Sequence, residues 1–141
     1  MCATAEVWTA PTRRVDVDAL RAFAREHDIF VGDAHETRDG GLHTSLQPLI
    51  DGRECCWCPL DDAPLAPADP ERVAHYRAGL AAVLRWIAER ADEVRFQPDC
   101  FDYLQRGEET IAPEDVPLPV MNDGRVLTIT VGEVLEESAA E

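Results

Sequence analysis

Three of the five cysteines, Cys55, Cys56 and Cys58, fall within four positions, and this is the first place where side-chain type and spacing suggest chemistry. Cys55 and Cys58 stand at C-x2-C spacing, at which two thiolates share a zinc ion or close a disulfide. One such pair is half of a structural zinc site. No second C-x2-C or H-x3-H follows, which leaves Cys100, His43 and His27 as recruits. If 54–60 is a strand, alternation puts Cys56 and Cys58 on one face and Cys55 with Trp57 on the other, separating the two thiols at chelating spacing. Small thiols buried in a core strand are the plainer reading. No metal and no cofactor is therefore assigned, and a zinc- or thiol-dependent protein built on Cys55, Cys58 and Cys100 stands as the alternative.

Other constellations are weaker. Asp33 and His35 follow a strand-like run, Ile29–Val31, in the Asp-x-His pattern of a two-metal phosphoesterase, but the further aspartate and Asn-His motifs of that chemistry are missing. Both are read as loop residues. The only serines are Ser45, inside a strand candidate, and Ser138, and neither sits in a Gly-x-Ser-x-Gly elbow. Cys100 lies between Asp99 and Asp102, whose charge favours the neutral thiol. An enzyme using a pocket between helix and sheet, with His35 or His43 as base, is the third hypothesis, and the reading leans away from catalysis. His75 is placed on a helix beside Gly79 and Ala82, in a structural or partially exposed role rather than a catalytic one.

Charge says more. The chain carries 28 carboxylates against 13 basic residues, all arginine, for a net charge of -15. With no lysine, a P-loop lysine and a Schiff-base lysine are excluded. Nucleic acid is not expected as a partner, because a phosphate backbone needs a basic surface. A basic protein is, because an acidic surface attracts one over long range and fits a site made for a polyanion. Up to Leu60 ten acids face six arginines, and from Asp61 onward eighteen face seven. In that second part Asp99, Asp102, Glu108, Glu109, Glu114 and Asp115 surround Phe101 and Tyr103, so carboxylates alternate with apolar anchors. Two readings follow: a partner-binding surface made of those eight residues, or a solvated acidic face that keeps the protein dispersed. In size, acidity and lack of catalytic motifs the chain is similar in type to bacterial immunity proteins, which neutralise a cognate toxin. The resemblance covers no motif. It implies a small cytoplasmic inhibitor that occludes a basic active site.

The compartment agrees with that expectation. The first thirty residues are too rich in Arg, Asp and Glu for an apolar leader, no stretch approaches the ~20 apolar residues of a membrane span, and an odd cysteine count suits reduced thiols. Abundant Ala, Arg, Asp and Pro with no lysine suggest a GC-rich bacterial genome.

The elements that must carry these residues are legible in part. A strand is expected at Glu6–Thr9, and then a helix from N-cap Asp16 with Val15 and Leu20 as hydrophobic staple. Ile29–Val31 reads as a strand and Gly32–Gly41 as loop. Leu42–Ile50 and Glu54–Leu60 read as a hairpin turned by Asp51, Gly52 and Arg53. Asp69, Pro70 and Glu71 start a long helix with Val73, Tyr76, Leu80, Val83, Leu84, Ile87 and Ala91 along one face. Val94 and Phe96 alternate in a strand. Residues 107–119 read as an acidic loop, Val120 and Met121 as pairing back onto Arg125–Val131, and 132–141 as an acidic helix or a frayed tail. One α+β domain, 1–141, follows, with two main helices on one face of an antiparallel or mixed sheet, in the order of a split βαβ (ferredoxin-like) layout with an added C-terminal hairpin.

Overall fold

In the computed structural model of the chain, the residues described are 5–10, 15–36, 41–55, 57, 69–91, 93–97, 107–118 and 125–131. They form a mixed sheet of eight strands and two α-helices, an α+β arrangement.

The chain starts in β1 (Ala5–Trp8), whose Ala5 and Val7 point inward. Helix α1 (Val17–Glu26) begins where Asp16 accepts a hydrogen bond from the Ala19 backbone N–H at 3.1 Å, with Leu20 buried and Val15 packed against the same core. It ends in a tight turn at His27 and Asp28. Asp28 takes φ 59°, a left-handed conformation that a short polar residue tolerates. The chain then enters β2 (Ile29–Val31), passes the two-residue β3 (His35–Glu36), and runs the length of β4 (Leu42–Ile50). Asp51 and Gly52, both at positive φ, make the two-residue turn into β5 (Arg53–Glu54), as a primed hairpin turn requires. Asp69 caps α2 (Pro70–Arg90) by accepting from the Glu71 N–H, and β6 (Val94–Gln97), β7 (Gly107–Ile111) and β8 (Arg125–Ile129) complete the sheet.

The strand order is β2-β4-β1-β6-β8-β7, with β3 and β5 flanking β4. All neighbours along this path are antiparallel except β7 and β8, which are parallel. A parallel pair needs a long return. The chain between Ile111 and Arg125 makes it, and its described part turns once in a 3-10 segment, Pro113–Asp115, that packs on α2.

Register assigns the faces. Ala5 pairs with Leu46 and Leu46 with Val31; Val7 pairs with Phe96 and Phe96 with Leu127; Val94 pairs with Ile129. These residues share one side of the sheet and are buried with Leu20 and Ala24 of α1 and Leu80, Val83, Leu84 and Ile87 of α2. Both helices thus cover that side. Tyr76 donates its hydroxyl hydrogen bond to the Leu49 carbonyl, and burial raises its pKa, followed by the nearby charge of Asp28.

Four expectations need correction. The middle pair of the expected order, read as Leu42–Ile50 with Glu54–Leu60, is replaced by β2 with β4, because Leu46 and Pro48 continue the register of Val31 and Ile29, and the strand expected over Glu54–Leu60 stops at Glu54. Beyond it the Cys55 N–H still bonds the Pro48 carbonyl at 3.0 Å, and the buried Trp57 then donates Nε1–H to the Leu46 carbonyl at 2.9 Å, so an indole holds the chain where the strand has ended; positions 56 and 58–60 lie outside the described residues. The stretch read as loop, 32–41, contains β3, held by its pairing of His35 with His43 and Glu36 with Leu42. Of the acidic loop expected at 107–119, the described residues, 107–118, form a strand and then a 3-10 turn. At a sheet edge Glu108 and Glu109 point to opposite faces and stay exposed, so a strand forms there without apolar alternation, and Pro113 and Val116 supply the buried contacts. The pairing expected of Val120 and Met121 and the tail 132–141 lie outside the described residues.

Candidate functional site

The residues expected to bind a partner divide. Glu108, Glu109, Glu114 and Asp115 are exposed, the first two on β7 and the others on the 3-10 turn. Asp99, Phe101, Asp102 and Tyr103 lie outside the described residues, as do Cys56, Cys58 and Cys100. The four described acids do not share one environment. Glu108 pairs in register with Val126 and shares its face, while Glu109 pairs with Leu127 on the helix side and reaches Arg125 at 3.4 Å. Glu114 accepts from both Nε and Nη2 of Arg85 on α2, at 2.7 Å for Nε. That bond from Arg85 holds the Glu114 carboxyl below the usual carboxylate range. Together they line one end of the sheet and the adjoining 3-10 turn.

Cys55 follows β5, is half-buried, and donates its N–H to the Pro48 carbonyl at 3.0 Å. Among the described residues, no group of three or more His, Cys, Asp or Glu side chains is arranged to hold a metal ion.

A second cluster was not anticipated. On the sheet face away from the helices, register sets His35 beside His43, His43 beside Trp8, Trp8 beside Arg95, and Arg95 beside Thr128. The Trp8 and His43 rings stack at 4.8 Å between centroids with only 9° between planes, and the His35 ring stands 6.3 Å beyond. Glu6, one row along on β1, brings Oε1 to 2.5 Å from His43 Nε2. An ionised carboxylate only accepts, so the imidazole donates, and the ring is held at its edge by Glu6 and across its face by Trp8. Ser45, the cross-strand partner of Glu6, turns its Oγ over Gly32, where a Cβ would lie 2.3 Å away.

A carboxylate orienting an imidazole is the geometry of an activated base, but here the ring face is occupied by an indole and Ser45 is turned to Gly32. The arrangement immobilises a half-exposed tryptophan beside an exposed arginine. His35 and His43, considered as bases facing a pocket under the helices, both lie on the opposite side of the sheet. The alternation of His43, Ser45 and Gln47 with Thr44, Leu46 and Pro48 would have revealed the outward set; that Trp8 meets His43, thirty-five positions away, is a matter of register.

The described residues form an α+β arrangement in which both helices cover one sheet face, no described helix covers the other, and the outer edge is acidic. Comparison with models of known protein families, with curated proteins and with solved structures finds no match to this chain.

Proposed function

We propose that this protein acts by binding another protein, and that its partner is basic. The observation that carries the reading is the run of exposed carboxylates at Glu108, Glu109, Glu114 and Asp115 along β7 and the turn after it, in a chain with net charge -15. Such a surface attracts a basic protein over a distance and repels acidic competitors. An immunity or inhibitor protein that occludes the active site of a basic toxin or enzyme is the particular role this supports, in a bacterial cytoplasm where an odd set of thiols stays reduced. Nucleic acid is not a partner in this reading. Among the described residues no helix is long and apolar enough to cross a membrane.

The test is the affinity of the full chain for a purified basic partner, such as a toxin encoded beside it, at about 50 and about 500 mM salt, where screening differs strongly. Binding weakens by roughly tenfold or more at the higher salt, and Glu108→Arg with Asp115→Arg weakens it further. An affinity indifferent to salt and to both substitutions would overturn the proposal.

A further inference from the structure

We infer that the outer edge of β7 receives an extended segment of the basic partner as an added strand, bonded to the backbone of Glu108 and Thr110. This rests on the basic-partner reading above and specifies how the partner docks.

The phase of the β7–β8 ladder exposes those two residues. The Thr130 N–H donates to the Ile111 carbonyl at 3.1 Å in a parallel register that pairs Ile111 with Ile129. Ile111 therefore turns its backbone polar groups toward β8. Because N–H and C=O point to alternate sides of successive residues, Gly107 and Glu109 do the same, and Glu108 and Thr110 turn theirs outward. β7 ends the strand order, and no other described residue hydrogen-bonds to those outward groups. The opposite edge is different. β2 is three residues long, and the Gly32 carbonyl just beyond it already accepts from Arg21 Nη2 at 3.0 Å and from Thr44 Oγ1 at 3.2 Å.

Charge selects what is added. Glu108 stands on the open-face side of β7 and forms no ion pair with another described residue, while Glu109 on the other side already meets Arg125. A second copy laid against this edge would set carboxylate near carboxylate, which is unfavourable for cross-strand neighbours, whereas a lysine or arginine opposite Glu108 is favourable. Charged edges keep strands from pairing with their own kind. The same charges admit a basic strand, with a small or β-branched residue opposite Thr110.

The experiment titrates the 15N-labelled full chain with a capped Thr-Lys-Thr-Lys-Thr-Lys peptide, which sets every lysine on one face. Alongside run the same peptide N-methylated at alternate amides and a version with Glu for Lys. Expected are shifts and slowed hydrogen exchange at the Glu108 and Thr110 amides but not at Glu109 and Ile111, binding at least about tenfold weaker for the methylated peptide, and the same loss in Thr110→Pro, which removes only an outward N–H. If the parent and methylated peptides bind alike, or the shifts centre elsewhere, strand addition is overturned and the basic-partner reading stands. If the Glu peptide binds as well as the Lys peptide, the edge pairs but the charge basis of both readings falls. No change at Glu108 and Thr110 with any peptide overturns the proposal, as does a concentration-dependent dimer of the chain alone that protects the same two amides.

Discussion

The two faces of the sheet use the same strands and follow opposite rules. Toward the helices, Val7, Leu46, Val94, Phe96 and Leu127 are at most 1% exposed, and each could be replaced only by something apolar of similar volume. Away from them, Glu6, Trp8, His43, Gln47, Arg95, Gln97 and Thr128 are half-buried or exposed, with Leu49 and Val126 buried exceptions. The inner face is held by close packing that any interior needs. The outer face is held by particular pairs, Glu6 with His43 and His43 with Trp8, that packing does not require. The open face thus carries a side-chain arrangement that the core does not need.

This contrast has measurable consequences. Trp57→Ala removes a fully buried indole and its bond to Leu46, so it should destabilise by about 3–5 kcal/mol and lower Tm by roughly 10–15 °C in calorimetry. A loss under about 1 kcal/mol would mean that Trp57 is not core. Gly79→Ala on α2 comes next, because the added Cβ would sit 2.5 Å from the His27 backbone carbonyl where the two helices meet. Denaturant titration should show about 1–3 kcal/mol lost, although alanine is the better helix former. Trp8→Ala on the open face should cost only about 1 kcal/mol or less in the same titration while leaving the circular dichroism of the backbone intact. A cost equal to that of Trp57→Ala would erase the distinction between the faces.

The smallest effect is electrostatic. The folded pKa of Glu114 lies below its unfolded value, so the Arg85 contact contributes fully above that unfolded value, about 4.3, and is lost as pH falls through the folded one. Both side chains are more than a third exposed, and screening keeps the contribution to about 0.5 kcal/mol or less. Acid titration of stability should therefore show a slightly flatter profile below about pH 4.5 in Glu114→Gln than in the parent. An equal slope would mean that the contact is not populated in solution.

Local rules located most of the elements. Asp16 and Asp69 cap the helices they were expected to cap, and the apolar stripe on α2 from Tyr76 to Ala91 is the face that is buried, because capping and 3.6-residue periodicity act over a few positions. Three misreadings have a common cause. The extent of the Arg53–Glu54 strand, the bridge at His35–Glu36 and the strand at Gly107–Ile111 each depend on a partner distant in the chain: a Trp57 bond to Leu46, a register with His43, an edge beside β8. Polar residues such as Glu108 and Glu109 carry no strand signal of their own, since an edge strand need not bury either face. Less of the candidate site was legible. Glu108, Glu109, Glu114 and Asp115 are exposed, and their division between two faces of β7 and a bond to α2 could not be read from composition.

Amino-acid sequence alone determined the charge, the two helices with their caps, and which residues of β1, β4 and β6 alternate, because these depend on side-chain chemistry and on neighbours within a turn or a pleat. Tertiary structure decided that Trp8, His43 and Glu6 meet, that β2 rather than the later hairpin strand completes the core of the sheet, and that Glu108 and Thr110 turn their backbone outward. Each of these is a question of register between distant strands, where a shift of one residue would exchange the two faces while leaving every local preference unchanged.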